Sequence, residues 1–191
     1  MNRKFFDSVD HRILLGILSK MKLDIQIERL LSTIIASYQT SAGRGIAIGN
    51  LTSQILANVY LNELDRFVRH NIKPLGYVRY GDDFVMIFPD ESSANSAAMR
   101  SAKMLLSELG LKVHKTNNVV IPVRRGVWFL GAKIFPSGTK ILARTWRRIE
   151  AKIDVENLSG YYGLVETVGG RVQRDSLQFM SEIGVADIED G

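Results

Sequence analysis

Two adjacent carboxylates, Asp82 and Asp83, stand between the β-rich runs Tyr77-Val78-Arg79-Tyr80 and Phe84-Val85-Met86-Ile87-Phe88. Gly81 precedes them, so the pattern predicts a hairpin over residues 77–88 with acid at its tip. Like charges side by side repel, and a bound cation removes that cost. Carboxylate oxygens are hard ligands. They suit Mg²⁺, which combines one or two carboxylates with substrate phosphates. The chemistry such a tip can do is metal-assisted phosphoryl or nucleotidyl transfer. A solvated Gly-Asp turn is the plain alternative.

A second stretch, Gly45-Ile46-Ala47-Ile48-Gly49-Asn50-Leu51-Thr52-Ser53-Gln54, leads into helix-forming sequence. Thr52 or Ser53 is the expected N-cap. A glycine loop at a helix start can bring backbone N–H groups close to a flat or anionic ligand. Leu56, Val59, Tyr60, Leu64, Phe67 and Val68 recur at helical spacing and read as a core stripe. Asn50 and Gln54 either hydrogen-bond a ligand or cap the helix. Arg144, Arg147 and Arg148 surround Trp146. They read as a grip on a polyanion backbone or as a charged helix face.

The elements that must position these groups alternate in kind. Residues 3–6 read as the end of a strand. Asp7 or Ser8 then caps a helix carrying Ile13, Leu14, Ile17, Leu18 and Met21. Helices are expected over 24–38, 53–70 and 92–109, the last stopped by Gly110. Strands are expected near 112–122, 127–135 and 139–143, with Pro-Ser-Gly turns between them. A further helix covers 145–165, and periodicity fades from Gly169. Strand, helices, hairpin, helix, strand is the order of a ferredoxin-like split unit.

Composition sets limits. The 191 residues suit one domain or one and a half. A 46% apolar share supports a packed core. No cysteine is present, which excludes disulfides, zinc–thiolate sites and thiol catalysis. The histidines show no metal spacing. No run approaches the ~20 apolar residues of a membrane span, and no secretory leader opens the chain. A cytoplasmic protein without a membrane partner is the expectation. A net charge of +5 suits a polyanionic partner.

Taken in order, the glycine loop, Tyr80-Gly81-Asp82-Asp83 and Phe129-Leu130-Gly131 resemble the reverse transcriptases. Phe5-Phe6-Asp7-Ser8-Val9-Asp10-His11 resembles their first palm motif. Among bacterial types, Ile48-Gly49 and Ser53-Gln54 at the ends of the loop heptad look like diversity-generating retroelement enzymes. Group II intron and retron enzymes are also similar. The resemblance covers roughly residues 3–165. It implies an α+β fold: a ferredoxin-like palm, with an antiparallel sheet covered on one face by helices, over 1–143. A short, mainly helical partial thumb follows over 144–191. It implies RNA-directed DNA synthesis with two Mg²⁺ ions, Mn²⁺ being an alternative. Partners would be an RNA template, a DNA primer or product, dNTPs and a basic accessory protein. Asp82 and Asp83 would be the catalytic metal ligands. Phe6 would be the steric gate on the sugar, and Gly49, Asn50, Ser53 and Gln54 would face template and nucleotide. Arg144, Arg147 and Arg148 would track the primer–template backbone, and Tyr161-Tyr162-Gly163, similar to a thumb helix of the family, would serve packing.

The chain also departs from that pattern. Counting back from Phe6 by the family spacing places Met1 where a metal-binding aspartate is expected, with Asn2 after it. A fingers region is not in the sequence. Asp7 is a poor substitute ligand, because it reads as a helix cap. The family's lysine position falls on Asn117, with Lys115 nearby. Residues 1–191 are therefore expected to polymerise poorly or not at all. Two rivals remain: an RNA-dependent RNA polymerase palm, against which Phe6 and the loop argue, and a degenerate nucleic-acid-binding remnant.

Overall fold

In a computed structural model of the chain, the structure describes residues 3–114, 116, 118–151, 161, 163, 165, 169 and 173–178. The chain divides into two compact units, Met1–Val120 and Ile121–Gly191. Helices and antiparallel strands mix in an α+β architecture, as expected. Among the described residues, no helix is long and apolar enough to cross a membrane.

The first unit is built on helices α1 (Arg3–Ser8), α2 (His11–Ser19), α3 (Ile25–Ala36) and α4 (Leu51–Phe67). The hairpin β1 (Gly76–Tyr80) and β2 (Asp83–Ile87) follows, and then α5 (Glu91–Leu109). Its core gathers Phe5, Phe6, Val9, Leu14, Leu18, Leu56, Tyr60, Leu64, Val68, Leu105 and Leu109. The α4 stripe behaves as its spacing predicts, with Leu56, Tyr60, Leu64 and Val68 all buried. Truncating one such leucine to alanine should cost about 2–5 kcal/mol. Tyr77, Phe84 and Met86 present one hairpin face to this core.

Sequence and structure part at several boundaries. Residues 3–6 form a helix rather than a strand end. A strand needs a neighbour for its backbone groups, whereas a helix satisfies its own, and the described residues offer this segment no partner strand. Asp10 caps α2, accepting from Arg12 N at 3.0 Å and Ile13 N at 3.4 Å. Asp7 and Ser8, the expected caps, instead lie within α1. The α4 cap is Asn50 rather than Thr52 or Ser53, and its side chain makes no capping bond. At its far end α4 loosens into a π-helical turn, Val68–Ile72. No strand forms among the described residues of 112–122, and a 3₁₀ turn follows at Val123–Arg125.

The second unit carries a three-stranded antiparallel sheet, β3 (Val127–Phe129), β4 (Ala132–Phe135) and β5 (Gly138–Ile141), then α6 (Ala143–Glu150). The expected single strand over 127–135 is thus a hairpin. Leu130 and Gly131 both take positive φ, 51° and 83°, and turn the chain back. Ile141, Ile149, Val165 and Leu177 form a small core. Gln173 stitches this unit by bonding both the N–H and the carbonyl of Ile141. The helix expected over 145–165 is seen as α6; residues 152–160, 162 and 164 lie outside the described residues.

Candidate active site

The acidic tip is a two-residue turn. Tyr80 pairs with Asp83, leaving Gly81 and Asp82 to reverse the chain. Gly81 takes a φ of +59°, while Asp82 does not take a positive value. That sign pattern belongs to a type II′ turn, which needs a residue without Cβ strain at its first position. Asp82 is half-buried and Asp83 exposed.

Cross-strand register puts Tyr77, Arg79, Phe84 and Met86 on one hairpin face. There Arg79 donates from Nε to Asp65 Oδ1 at 2.8 Å and from Nη2 to Oδ2 at 2.7 Å. Its Nη1 reaches Asn58 Oδ1 at 3.1 Å and the Gly81 carbonyl at 2.8 Å. Tyr77 adds a 2.6 Å hydroxyl bond to Asp65. Burial pushes the Asp65 carboxyl up, but bonds from Arg79 and Tyr77 outweigh it and leave the carboxyl below its ordinary range. Hydrogen bonding to Asp65 holds the Arg79 guanidinium more firmly charged against its own burial. Burial, then Asp65, raise the Tyr77 phenol, so it stays a donor.

The glycine loop is latched at its other end. Gly45 N–H donates to Val9 O at 2.9 Å, and Ile46 N–H to Phe6 O at 3.0 Å. His11, buried, sets Nε2 2.7 Å from Gly45 O. Asp10, also buried, faces Arg44 at 3.5 Å. A side chain at Gly45 would meet Thr40 Oγ1 at 2.7 Å, so the loop closes tightly there. Gly49 is different, because its φ is +97° and open space lies where a Cβ would point. Gly49, Asn50 and Gln54 are exposed at the entry to α4, and Ser53 is buried beneath them. Asn58 lies eight residues past Asn50, about 12 Å along the helix. One helix thus carries both the loop exit and the anchor of the acidic turn. Phe6 is 4% exposed, packed edge-to-face on Phe5 with ring centroids 5.2 Å apart.

A family model described as reverse transcriptase (RNA-dependent DNA polymerase) matches residues 2–134, over two-thirds of the chain. The chain belongs to the reverse transcriptase family. A curated relative, Protein YkfC of Escherichia coli (strain K12), is 26% identical across 68% of this chain. The match covers 44% of that protein, so the chain spans under half its length.

Reverse transcriptases as a family use divalent metal ions. The oxygens that this one offers at the hairpin fit Mg²⁺ by donor type, two carboxylates on successive residues. Among the described residues, no group of three or more His, Cys, Asp or Glu gathers to hold an ion. Asp7 sits in α1, where its carbonyl accepts from Thr40 Oγ1 at 2.9 Å. Arg144, Arg147 and Arg148 lie exposed on α6 in the second unit. Trp146 instead packs against the core of that unit. The aromatic among the arginines is therefore a packing residue, and the three guanidinium groups are left exposed on α6. Met1, Asn2, Lys115, Asn117 and Tyr162 lie outside the described residues.

Of the residues that hold the turn and the loop, Arg79, Asp65 and Asn58 had no role assigned from the motifs, while Asp10 and His11 stand in the first-motif stretch with no loop contact read for them. A signal for the first three was present. Asn58 and Asp65 are seven residues apart, on one face of a helix, while Tyr77 and Arg79 are two apart, on one face of a strand.

Proposed function

We propose that residues 1–143 serve as the palm of an RNA-directed DNA polymerase and 144–191 as part of its thumb. The observation that carries this is the paired carboxylates at a clamped hairpin tip, Asp82 in the turn and Asp83 opening β2, with an open glycine loop at the start of the same anchoring helix. Asp82 and Asp83 would hold two Mg²⁺ ions, Mn²⁺ substituting. When bound, such ions supply activation of a primer 3′-hydroxyl and neutralisation of the triphosphate.

The chain's own groups do the rest. Gly49 offers bare backbone to the nascent base pair. Asn50 and Gln54 present exposed amides to template or nucleotide. Ser53 supports the loop from below. Phe6, packed on Phe5 in the core, would be the gate at the sugar's 2′ position by its place in the family motif. Arg144, Arg147 and Arg148 neutralise backbone phosphates. RNA template, DNA primer and dNTPs are the partners, with a small basic accessory protein and a cytoplasmic setting. Ile48-Gly49 and Ser53-Gln54 favour the diversity-generating retroelement type over group II intron and retron types.

The test is primer extension on RNA with Mg²⁺, by a polypeptide joining this chain to a fingers region and a first-motif carboxylate. Extension with dNTPs and loss of it on Asp82→Asn support the reading. Preference for NTPs would point to an RNA-dependent RNA polymerase. Salt-sensitive nucleic-acid binding without synthesis would point to a degenerate remnant.

A further inference from the structure

We infer that Arg79, locked by Asp65, is a positioning residue that selects the turn conformation in which Asp82 is presented. The inference rests on the reading of the hairpin as the metal-bearing site and adds a residue to it.

The argument begins with the peptide group between Gly81 and Asp82. Type I′ and type II′ turns have the same outer geometry and differ by a flip of this central peptide. In I′ both central residues take positive φ, in II′ only the first. Glycine resists neither form, and aspartate tolerates the left-handed region better than most residues. The two-residue turn alone therefore does not choose, yet the flip swings the backbone that carries the Asp82 carboxylate. Here Gly81 is at +59° and Asp82 is not positive. The Gly81 carbonyl, the oxygen that the flip would turn away, accepts 2.8 Å from Arg79 Nη1.

The guanidinium is itself immobilised. Nε and Nη2 grip both Asp65 oxygens at 2.8 and 2.7 Å, a bidentate fork that fixes its plane. Nη1 also meets Asn58 Oδ1 at 3.1 Å. The Arg79 and Asp65 side chains are 11% and 15% exposed, so water competes little for these bonds. Asp65 and Asn58 both belong to α4, so the turn is referenced to the helix that bears the glycine loop. A lysine would keep the charge but could not hold the fork and reach Gly81 at once.

The experiment uses the full chain and nuclear magnetic resonance. In the parent, the Arg79 Nη protons should be resolved and slow to rotate, with a through-bond coupling across the bond to the Gly81 carbonyl. Sequential contacts should show one turn form, with a short Gly81 Hα–Asp82 HN distance. Mn²⁺ should broaden the amides of Gly81, Asp82 and Asp83. In Arg79→Lys, core amides such as Leu61 and Leu64 should keep their exchange rates. The Asp82 amide should gain exchange broadening or the contacts of the flipped form, and Mn²⁺ affinity should fall at least threefold.

Unchanged turn contacts and unchanged Mn²⁺ affinity in Arg79→Lys overturn the inference. So do freely rotating Nη protons in the parent, a measurement that decides the matter even where the variant fails to fold. Absence of Mn²⁺ broadening in the parent overturns the metal reading of the hairpin instead, and the turn contacts still decide the role of Arg79.

Discussion

Asp82 and Asp83 place two negative charges on neighbouring residues, and they differ in setting: Asp82 is half-buried in the turn and Asp83 exposed at the start of β2. Neutralising Asp82 by Asp82→Asn should abolish primer extension in a polypeptide that supplies the other parts of the site. Its unfolding free energy, from urea melts, should change by less than about 1 kcal/mol, as for a substitution outside the core. Normal extension by that variant would remove the metal role. Asp65 is the opposite case, a carboxylate whose charge the fold needs. Its folded pKa lies below the ordinary value. It therefore stabilises the fold fully above the unfolded value of roughly 3.9, and loses that contribution as pH falls through its lower folded value. Asp65→Asn should cost about 3 kcal/mol at pH 7, since it strands a largely buried guanidinium. The cost should be smaller at pH 3 than at pH 7, because below the unfolded value of roughly 3.9 the unfolded parent already holds the proton and the folded carboxylate loses its advantage. Urea melts of both proteins at the two pH values check this, and an equal cost at both would remove Asp65 as a charge partner.

Among elements, α4 does most of the positioning. It begins at the glycine loop, holds Asn58 and Asp65 beneath the hairpin, and buries Tyr60. The Tyr60 hydroxyl donates to Leu109 O at 2.6 Å and accepts from Asp10 N–H at 3.3 Å. It thereby joins the end of α5 to the start of α2. Burial raises its pKa to about 12, so it remains a neutral donor across the ordinary range. Tyr60→Phe keeps the ring and strands two buried backbone groups, which should cost about 1–3 kcal/mol. Thermal or urea melts measure it, and a loss below about 0.5 kcal/mol would show that water replaces the hydroxyl. The α4 stripe and the β1–β2 hairpin were legible because each follows a clear period, near 3.6 or 2, beside turn residues. Residues 3–6 were not, because two phenylalanines suit a strand or a helix, and only the lack of a partner strand among the described residues decides. The Leu130-Gly131 turn was hidden because a leucine at positive φ is uncommon and nothing in its type announces it. In the site, Asp82, Asp83 and Gly49 were visible as motif residues. The fork from Arg79 to Asp65 was visible only as two separate periodicities, and joining them requires knowing that the hairpin packs on α4.

For the whole molecule, a net charge of +5 and the arginine face of α6 predict nucleic-acid binding governed by salt. Three phosphate contacts from Arg144, Arg147 and Arg148 would give a log–log salt slope of about −2 to −3. Replacing all three by glutamine should flatten that slope by about the same amount, measured by fluorescence anisotropy with an RNA–DNA duplex. An unchanged slope would assign the arginines to solvent alone. Synthesis is a stricter matter than binding. Two-metal catalysis clamps the attacking and leaving oxygens between ions about 4 Å apart, and carboxylates from two separate segments are the usual way to hold such a pair. The described residues supply one acidic pair and no third metal-ligating neighbour. Counted by the family spacing, Met1 would stand where an aspartate is expected, and a thioether is a poor donor for Mg²⁺. Orientation of a triphosphate also needs cationic groups around it, and loss of orientation alone can cost orders of magnitude in rate. We therefore expect the 191 residues by themselves to extend a primer at background level, while a version that adds the first-motif carboxylate and a fingers region recovers synthesis. Primer extension on RNA template with dNTPs and Mg²⁺ decides it. Robust extension by the 191 residues, abolished by Asp82→Asn, would show that another carboxylate, Asp7 foremost, completes the site after a rearrangement of α1.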